Sequence, residues 1–272
     1  MPELPEVETV VRELNQQLPS PDQLVDVELL RSDLRNKFPK KKIESFKGRT
    51  FKGITRRSKY LLFCFEPSGG LLSHLGMTGH WRVEREPITE KTHDHIRLRF
   101  RSKIVLIYND PRRFGFFDVF EDSKTHRLLK GIGPEPFSDD FNTDFLKLAL
   151  KNRITPIKTI LMNQALVAGI GNIYASEILF RASVKPTRAA GKVTREECAR
   201  IVQQTREVLE EAIRFGGSSF DDFKHVSGEK GGFQDRFQVY DRVGKPCVSC
   251  GKNVSKKVQA GRSTYWCSNC QK

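Results

Sequence analysis

Gly133-Pro134-Glu135-Pro136 parts two periodicities, and the fold is read outward from that break. Upstream, short alternating segments recur at Phe51 to Ile54, Tyr60 to Phe65, Ile96 to Phe100, Ile104 to Tyr108 and Phe116 to Phe120. Alternation in β-branched and aromatic residues argues for strands. Pro67-Ser68-Gly69-Gly70 and Pro111 punctuate them. Residues 1–134 are therefore expected to form a two-layer β-sandwich, with a helix at the chain start and another over Ser32 to Phe38. Downstream the spacing turns helical, over Asp144 to Lys151, Pro156 to Asn163, Ile173 to Ala182 and Thr194 to Phe215. Thr194 and Glu197 make a capping box at the start of the last helix, and Gly216-Gly217 ends it. The polar stretch Ser218 to Gly232 reads as a mobile loop into a final small module. The predicted class is α+β, in three domains: 1–134, 135–232 and 233–272.

Charge narrows the partner. Lys plus Arg number 47 against 33 Asp plus Glu, a formal charge of +14 in 272 residues. Such an excess suits a polyanion or an anionic membrane surface. No apolar run approaches the ~20 residues that span a bilayer, and no signal peptide is seen, so a cytoplasmic protein with no membrane partner is expected. From Lys37 to Lys59 ten basic residues meet one acid, Glu44, with Phe46, Phe51, Ile54 and Tyr60 interleaved. That pattern fits strands presenting one basic face.

Four of the six cysteines form Cys247-x-x-Cys250 and Cys267-x-x-Cys270, with sixteen residues between the pairs. The spacing is that of a four-thiolate zinc ribbon. Two disulfides are the competing reading, which a reducing compartment disfavours. One structural zinc is expected, and no redox or nucleotide cofactor. Cys64 and Cys198 lie among apolar residues and read as packed hydrophobes.

Two further segments carry chemistry. Leu166-Val167-Ala168-Gly169-Ile170-Gly171-Asn172 places two glycines beside a helix start, where backbone N–H groups can meet a phosphate; it also suits an ordinary turn between packed helices. The chain begins Met1-Pro2-Glu3-Leu4-Pro5-Glu6-Val7-Glu8. Pro5 and the acids suit a helix start, with Val7, Val10, Val11 and Leu14 as its apolar stripe. Removal of Met1, which the small Pro2 permits, would also leave a terminal secondary amine. Such an amine attacks an aldehyde-level sugar carbon to give an iminium, an electron sink for bond cleavage, with Glu3 and Glu6 close enough to carry protons.

These features occur in one chain and together resemble bacterial formamidopyrimidine-DNA glycosylase. The likeness covers nearly the whole sequence. It includes Arg56-Arg57-Ser58-Lys59-Tyr60, His74-Leu75-Gly76-Met77, His93-Asp94-His95, Asp110-Pro111-Arg112-Arg113-Phe114-Gly115 and Gln259-Ala260-Gly261-Arg262. The resemblance implies an N-terminal β-sandwich with flanking helices, a helix-two-turn-helix region and a β-hairpin zinc finger. It implies a monomer that excises 8-oxoguanine and formamidopyrimidines from damaged double-stranded DNA and then cleaves the strand by β,δ-elimination. Pro2 would be the nucleophile, Glu3 the proton donor to the sugar oxygen, and Glu6 its supporting carboxylate. Lys59 and Arg262 would assist the two eliminations. Met77, Arg112 and Phe114 would fill the space left by the extruded base. His74, His93, Arg153, Lys158, Asn172 and Tyr240 would contact DNA, and Cys247, Cys250, Cys267 and Cys270 would bind zinc. The stretch Gly216 to Val239, with Ser218, Ser219 and Phe220, resembles the loop that folds over the extruded base.

The chain departs from the family pattern at Leu18-Pro19-Ser20-Pro21-Asp22, at Thr92 and at Thr159. An endonuclease VIII-type enzyme acting on oxidised pyrimidines would share the same chemistry, and a non-catalytic zinc-dependent DNA binder would share the scaffold. Leu4 argues against the first, and the joint presence of Pro2, Glu3 and Lys59 against the second.

Overall fold

A computed structural model describes residues 1–219, 225, 226 and 228–272, and they divide into two compact units. Unit one comprises Met1–Lys130 and Gly216–Gly232; unit two comprises Gly131–Phe215 and Phe233–Lys272.

Unit one opens with α1 (Leu4–Gln17), which starts where Pro5 sits in its first turn and Glu6 accepts the Glu3 N–H. Leu4, Val7, Val10, Val11 and Leu14 are all buried. Each such side chain contributes roughly 1.5–3 kcal/mol relative to exposure. Near its other end, Asn15 pins the helix: its amide donates to the Ile54 carbonyl at 2.8 Å and its oxygen accepts the Ile54 N–H at 2.9 Å. Eight strands follow: β1 (Asp22–Leu29), β2 (Thr50–Arg57), β3 (Tyr60–Phe65), β4 (Gly70–His74), β5 (His80–Arg85), β6 (Asp94–Phe100), β7 (Ile104–Asn109) and β8 (Phe116–Phe120).

Their order is β5-β7-β6-β1-β2-β3-β4-β8, with every paired neighbour antiparallel. The two layers are one continuous sheet. Asp22 and Gln23 of β1 pair with β2, whereas Leu24 to Leu29 pair with β6 across an irregularity between Leu24 and Asp26. Trp81 of β5 packs on Phe63 of β3 at 5.1 Å and Phe117 of β8 at 6.2 Å, so the halves share one core.

The helix expected over Ser32 to Phe38 does not form. Asp33 and Lys37 bridge as extended backbone, and the only helix in this region is the short α2 (Lys40–Glu44), one residue after Pro39. Two causes are visible. Asp33 and Asn36 engage Arg31 and the Lys37 carbonyl instead of supporting helical backbone. Pro39 also disfavours helical geometry at Phe38.

Unit two contains α3 (Thr143–Leu150), α4 (Ile157–Leu161), α5 (Asn172–Arg181) and α6 (Arg195–Arg214), then the hairpin β9 (Ser255–Gln259) and β10 (Arg262–Trp266). The capping box at Thr194 is present, its hydroxyl accepting the Glu197 N–H while Glu197 accepts the Thr194 N–H. The class is α+β, as the sequence predicts. Among the described residues no helix is long and apolar enough to cross a membrane.

Candidate active site and nucleic-acid interface

Unit one buries a pair of carboxylates at the chain start. Pro2 is buried, as are Glu3 and Glu6 at 4% and 2% exposure. The Glu6 carboxylate is held on both oxygens. Oε2 accepts the Glu3 N–H at 2.8 Å; Oε1 accepts the Ser218 N–H at 2.7 Å and the Ser218 hydroxyl at 3.0 Å. Gly217 makes this possible: its φ is +74°, and a Cβ there would stand 2.8 Å from Glu6 Oε1.

Lys59 lies in the two-residue link between β2 and β3, buried at 6% exposure, beside Ser58 at φ +54°. Arg56 ties that link to α1, donating to Glu8 at 2.9 Å and to the Ser58 carbonyl at 3.0 Å. His74 sits across from Tyr60, with ring centroids 5.0 Å apart. Burial, reinforced by the charges of Lys59, Arg35 and the terminal amine, pushes the His74 imidazole down to about 4. His74 is therefore neutral near pH 7. Its Nδ1 faces the Gly76 N–H at 3.0 Å and accepts it, which leaves the proton on Nε2.

A second group in unit one surrounds Asp110, which is fully buried. Its carboxylate accepts the Thr78 hydroxyl at 2.6 Å and the Gly115 N–H at 2.7 Å, and its carbonyl meets His95 Nε2 at 2.9 Å. The Arg112 N–H reaches Thr78 Oγ1 at 3.3 Å. One buried acid thus braces the Met77 loop and the Asp110–Gly115 turn together. Gly76, Gly79 and Gly115 permit the fit; a Cβ on Gly115 would fall 1.9 Å from the Tyr108 hydroxyl. The turn presents Arg112 and Phe114 to solvent, with the guanidinium 4.9 Å from the ring centroid. His93 is also exposed, and its carbonyl accepts the Asp110 N–H at 3.1 Å.

Unit two carries a separate polar cluster. Lys158 is buried, and its ammonium donates to Asn172 Oδ1 at 2.7 Å, the Ser263 carbonyl at 2.9 Å and Thr264 Oγ1 at 2.9 Å. One lysine therefore joins α4, the start of α5 and β10. Asn172 Nδ2 lies 3.5 Å from the Tyr240 hydroxyl, and Tyr240 packs on Tyr265 at 5.1 Å. Glu177, fully buried on α5, accepts the backbone N–H groups of Gln238, Val239 and Tyr240 at 2.9, 3.0 and 2.8 Å. Arg262 is exposed beyond the tight Ala260-Gly261 turn and lines a cleft with Lys158, Thr159, Met162, Asn163 and Thr264. Arg153 is exposed on the loop between α3 and α4.

The four ribbon cysteines converge, all Sγ atoms lying within 4.8 Å of one another, with 3.5 Å between Cys250 and Cys267 and 3.9 Å between Cys247 and Cys270. Tetrahedral zinc with Zn–S near 2.3 Å requires sulfurs roughly 3.8 Å apart. The donor set and spacing fit that ion. Without a cation two of the thiols diverge: the Lys252 N–H draws Cys250 down to about 7, whereas burial and the neighbouring thiols push Cys270 up to about 12.

Unit one thus gathers Pro2, Glu3, Glu6, Lys59 and His74, and separately Met77, His93, Arg112 and Phe114. Unit two gathers Lys158, Asn172, Tyr240 and Arg262, with Arg153 apart on its own loop. Phe220 lies outside the described residues. Sequence reasoning missed Asp110 as a brace, the Arg56–Glu8 pair, and Glu177. The last had a usable signal, an acid amid the apolar run Tyr174 to Phe180.

Three family models match successive stretches of the chain. Residues 1–117 match the family model of the formamidopyrimidine-DNA glycosylase N-terminal domain, 132–224 that of the formamidopyrimidine-DNA glycosylase H2TH domain, and 244–272 a zinc finger found in FPG and IleRS. Formamidopyrimidine-DNA glycosylase of Bdellovibrio bacteriovorus is 48% identical over 272 residues, with 100% of both chains covered. That of a Ruegeria species is 42% identical over 286 residues, again covering 100% of both. A Lactococcus lactis FPG mutant complexed with DNA containing Fapy-dG superposes with a TM-score of 0.90 at 34% identity, covering 99% of each chain. MutM (FPG) from Thermus thermophilus gives 0.87 at 39% identity, covering 99% of this chain and 98% of that one. The zinc-finger match and the thiol geometry agree on one structural zinc.

Proposed function

This chain belongs to the formamidopyrimidine-DNA glycosylase family, and we propose that it excises oxidised purines from duplex DNA and then cleaves the strand at the emptied sugar. The proposed organisation is a catalytic domain over 1–134, a helical domain over 135–232 and a zinc finger over 233–272, acting as a monomer. Relatives solved with Fapy-dG, with an abasic site and with carbocyclic 8-oxo-G in DNA support the substrate class.

The observation that carries the reading is the buried cluster at the chain start. A supporting carboxylate, Glu6, is locked by three donors within four residues of Pro2, and buried Lys59 adds its charge to the field at His74. With Met1 removed, the Pro2 nitrogen attacks C1′ and the N–C1′ bond forms as the bond to the base breaks, the amine proton leaving with the base. Glu3 gives a proton to the ring oxygen, the ring opens, and the nitrogen lone pair makes the iminium. That cation acidifies C2′; loss of its proton expels the 3′ phosphate, with Lys59 beside the acceptor. A second proton loss expels the 5′ phosphate, with Arg262 assisting. Base extrusion must come first, because the C1′ carbon is shielded in the stack. Met77, Arg112 and Phe114, braced by Asp110, would occupy the vacated space. His74, His93, Arg153, Lys158, Asn172 and Tyr240 would serve the phosphates, directly or by shaping the surface. Zinc, held by the four cysteines, would organise the hairpin bearing Arg262 and takes no part in the chemistry.

Borohydride reduction with a duplex containing 8-oxoguanine tests the reading. A covalent protein–DNA adduct is expected, lost on Pro2→Gly and on retention of Met1. Absence of an adduct with the processed native chain overturns it.

A further inference from the structure

The segment Gly216–Gly232 is tied twice to α1 through its described residues. Its ends pair as an antiparallel bridge between Ser218 and Gly232, and the Gly231 N–H donates to Ser219 Oγ at 2.6 Å. One tie is Ser218 on Glu6. The other is Glu13, whose Oε1 lies 2.8 Å from His225 Nδ1 and whose Oε2 accepts the Val226 N–H at 2.8 Å. Glu6 and Glu13 are seven residues apart, which puts both acids on one face of the helix. His225 is buried, and Val226 packs against the sandwich core. The glycines match these ties one for one: a Cβ on Gly217 would strike Glu6, and one on Gly216 would fall 2.7 Å from His225 Cε1.

We propose that Glu13 and His225 are positioning residues for base excision: their pair fastens the far side of this segment to α1 and so keeps Ser218 on Glu6. The proposal rests on the reading that Glu6 supports the nucleophile. It also makes the fastening sensitive to pH. Among the described residues, the ring is faced by Glu13 from α1, by Glu229 from the segment itself and by the Gly216 carbonyl. The Glu13 hydrogen bond, partly opposed by burial, holds the imidazole above its ordinary range. A raised pKa means that the fastening is at full strength below the unfolded histidine's pKa, about 6.5, and weakens as pH rises through the folded value. At high pH a charge-assisted bond becomes an ordinary one.

Displacing a base from C1′ demands more of Glu6 than condensing with an abasic sugar that is already at the aldehyde level. The two activities should therefore separate. In single-turnover assays of the processed full chain, Glu13→Gln should slow 8-oxoguanine release roughly tenfold, the order expected for losing one charge-assisted hydrogen bond. Cleavage of a preformed abasic strand should stay near the native rate. The native ratio of excision to abasic cleavage should fall as pH rises from about 6 to 9, while His225→Gln, which keeps a neutral donor, should give a flat ratio. Parallel loss of both activities in Glu13→Gln, or a ratio that still falls in His225→Gln, overturns the proposal. Hydrogen exchange on the native chain gives an independent measure: protection at the Val226 and Ser218 amides should drop together at alkaline pH. Unchanged protection rejects the fastening. A native chain inactive on both DNAs would reject the functional reading instead, leaving the exchange result to stand alone.

Discussion

Ser218 gives both its N–H and its hydroxyl to a single oxygen of Glu6, across 212 positions of sequence, while the other Glu6 oxygen holds the Glu3 N–H. The Glu6 carboxylate, near the chain start, is thereby fixed by a residue of a distant loop. Gly217→Ala should break this arrangement, because the added carbon meets Glu6 and φ +74° strains any side chain. A stability loss of about 1–2 kcal/mol from left-handed backbone alone is expected. Urea unfolding checks the first effect. The yield of borohydride-trapped adduct, which should fall further than stability explains, checks the second.

His74 sets an acid limit. Its pKa is depressed to about 4, so it must charge before or during acid unfolding. A depressed pKa contributes stability that is complete above the unfolded value near 6.5 and is lost as pH falls toward the folded value. With a shift of roughly 2.5 units the full effect is about 3 kcal/mol. Urea midpoints at about pH 7 and pH 4.5 should therefore converge in His74→Gln relative to the native chain. Lys59→Met should raise the His74 pKa, as seen by NMR titration, since the lysine charge is one of its causes.

Removing Asp110 should uncouple two loops at once. Asp110→Ala leaves the Thr78 hydroxyl and the Gly115 N–H without their buried acceptor. A loss of about 2–5 kcal/mol is the usual scale for unmaking a buried, hydrogen-bonded charge. The milder Thr78→Val keeps the fold and frees the Arg112 N–H. It should weaken binding to lesion duplex more than to single strands, measured by fluorescence anisotropy.

Chelating zinc should leave the sandwich intact and disable the ribbon. Without the ion, Cys250 is drawn down to about 7 and Cys270 pushed up to about 12, and the thiols no longer share one centre. DNA affinity should fall sharply and its salt dependence flatten, because Arg262 stands on the hairpin those thiolates organise. Equal affinity after verified metal removal would contradict this.

Much of the fold was legible because its signals are local. The Thr194–Glu197 capping box, the break at Gly133 to Pro136 and the spacing of the cysteines each lie within a few residues or a fixed count. Strands β1, β4 and β5 escaped notice for a related reason. In β4 every residue from Gly70 to Ser73 is buried, so no alternation marks it, and β1 changes partner midway. Within Ser32 to Phe38, expected as helix, Leu34 and Phe38 are buried, but in irregular backbone around the Asp33–Lys37 bridge. Long-range pairs such as Glu6 with Ser218 or Arg56 with Glu8 leave no periodic trace. They depend on how the finished fold brings unrelated stretches together.

α5 is a ruler of ten residues. Asn172 at its first turn meets Lys158, and Glu177 five positions later clasps the backbone of 238–240. One residue inserted between them would rotate these two groups about 100° out of phase. Indel tolerance should thus be near zero within this helix while point substitutions on its rim survive, a length constraint that a deep mutational library would expose directly.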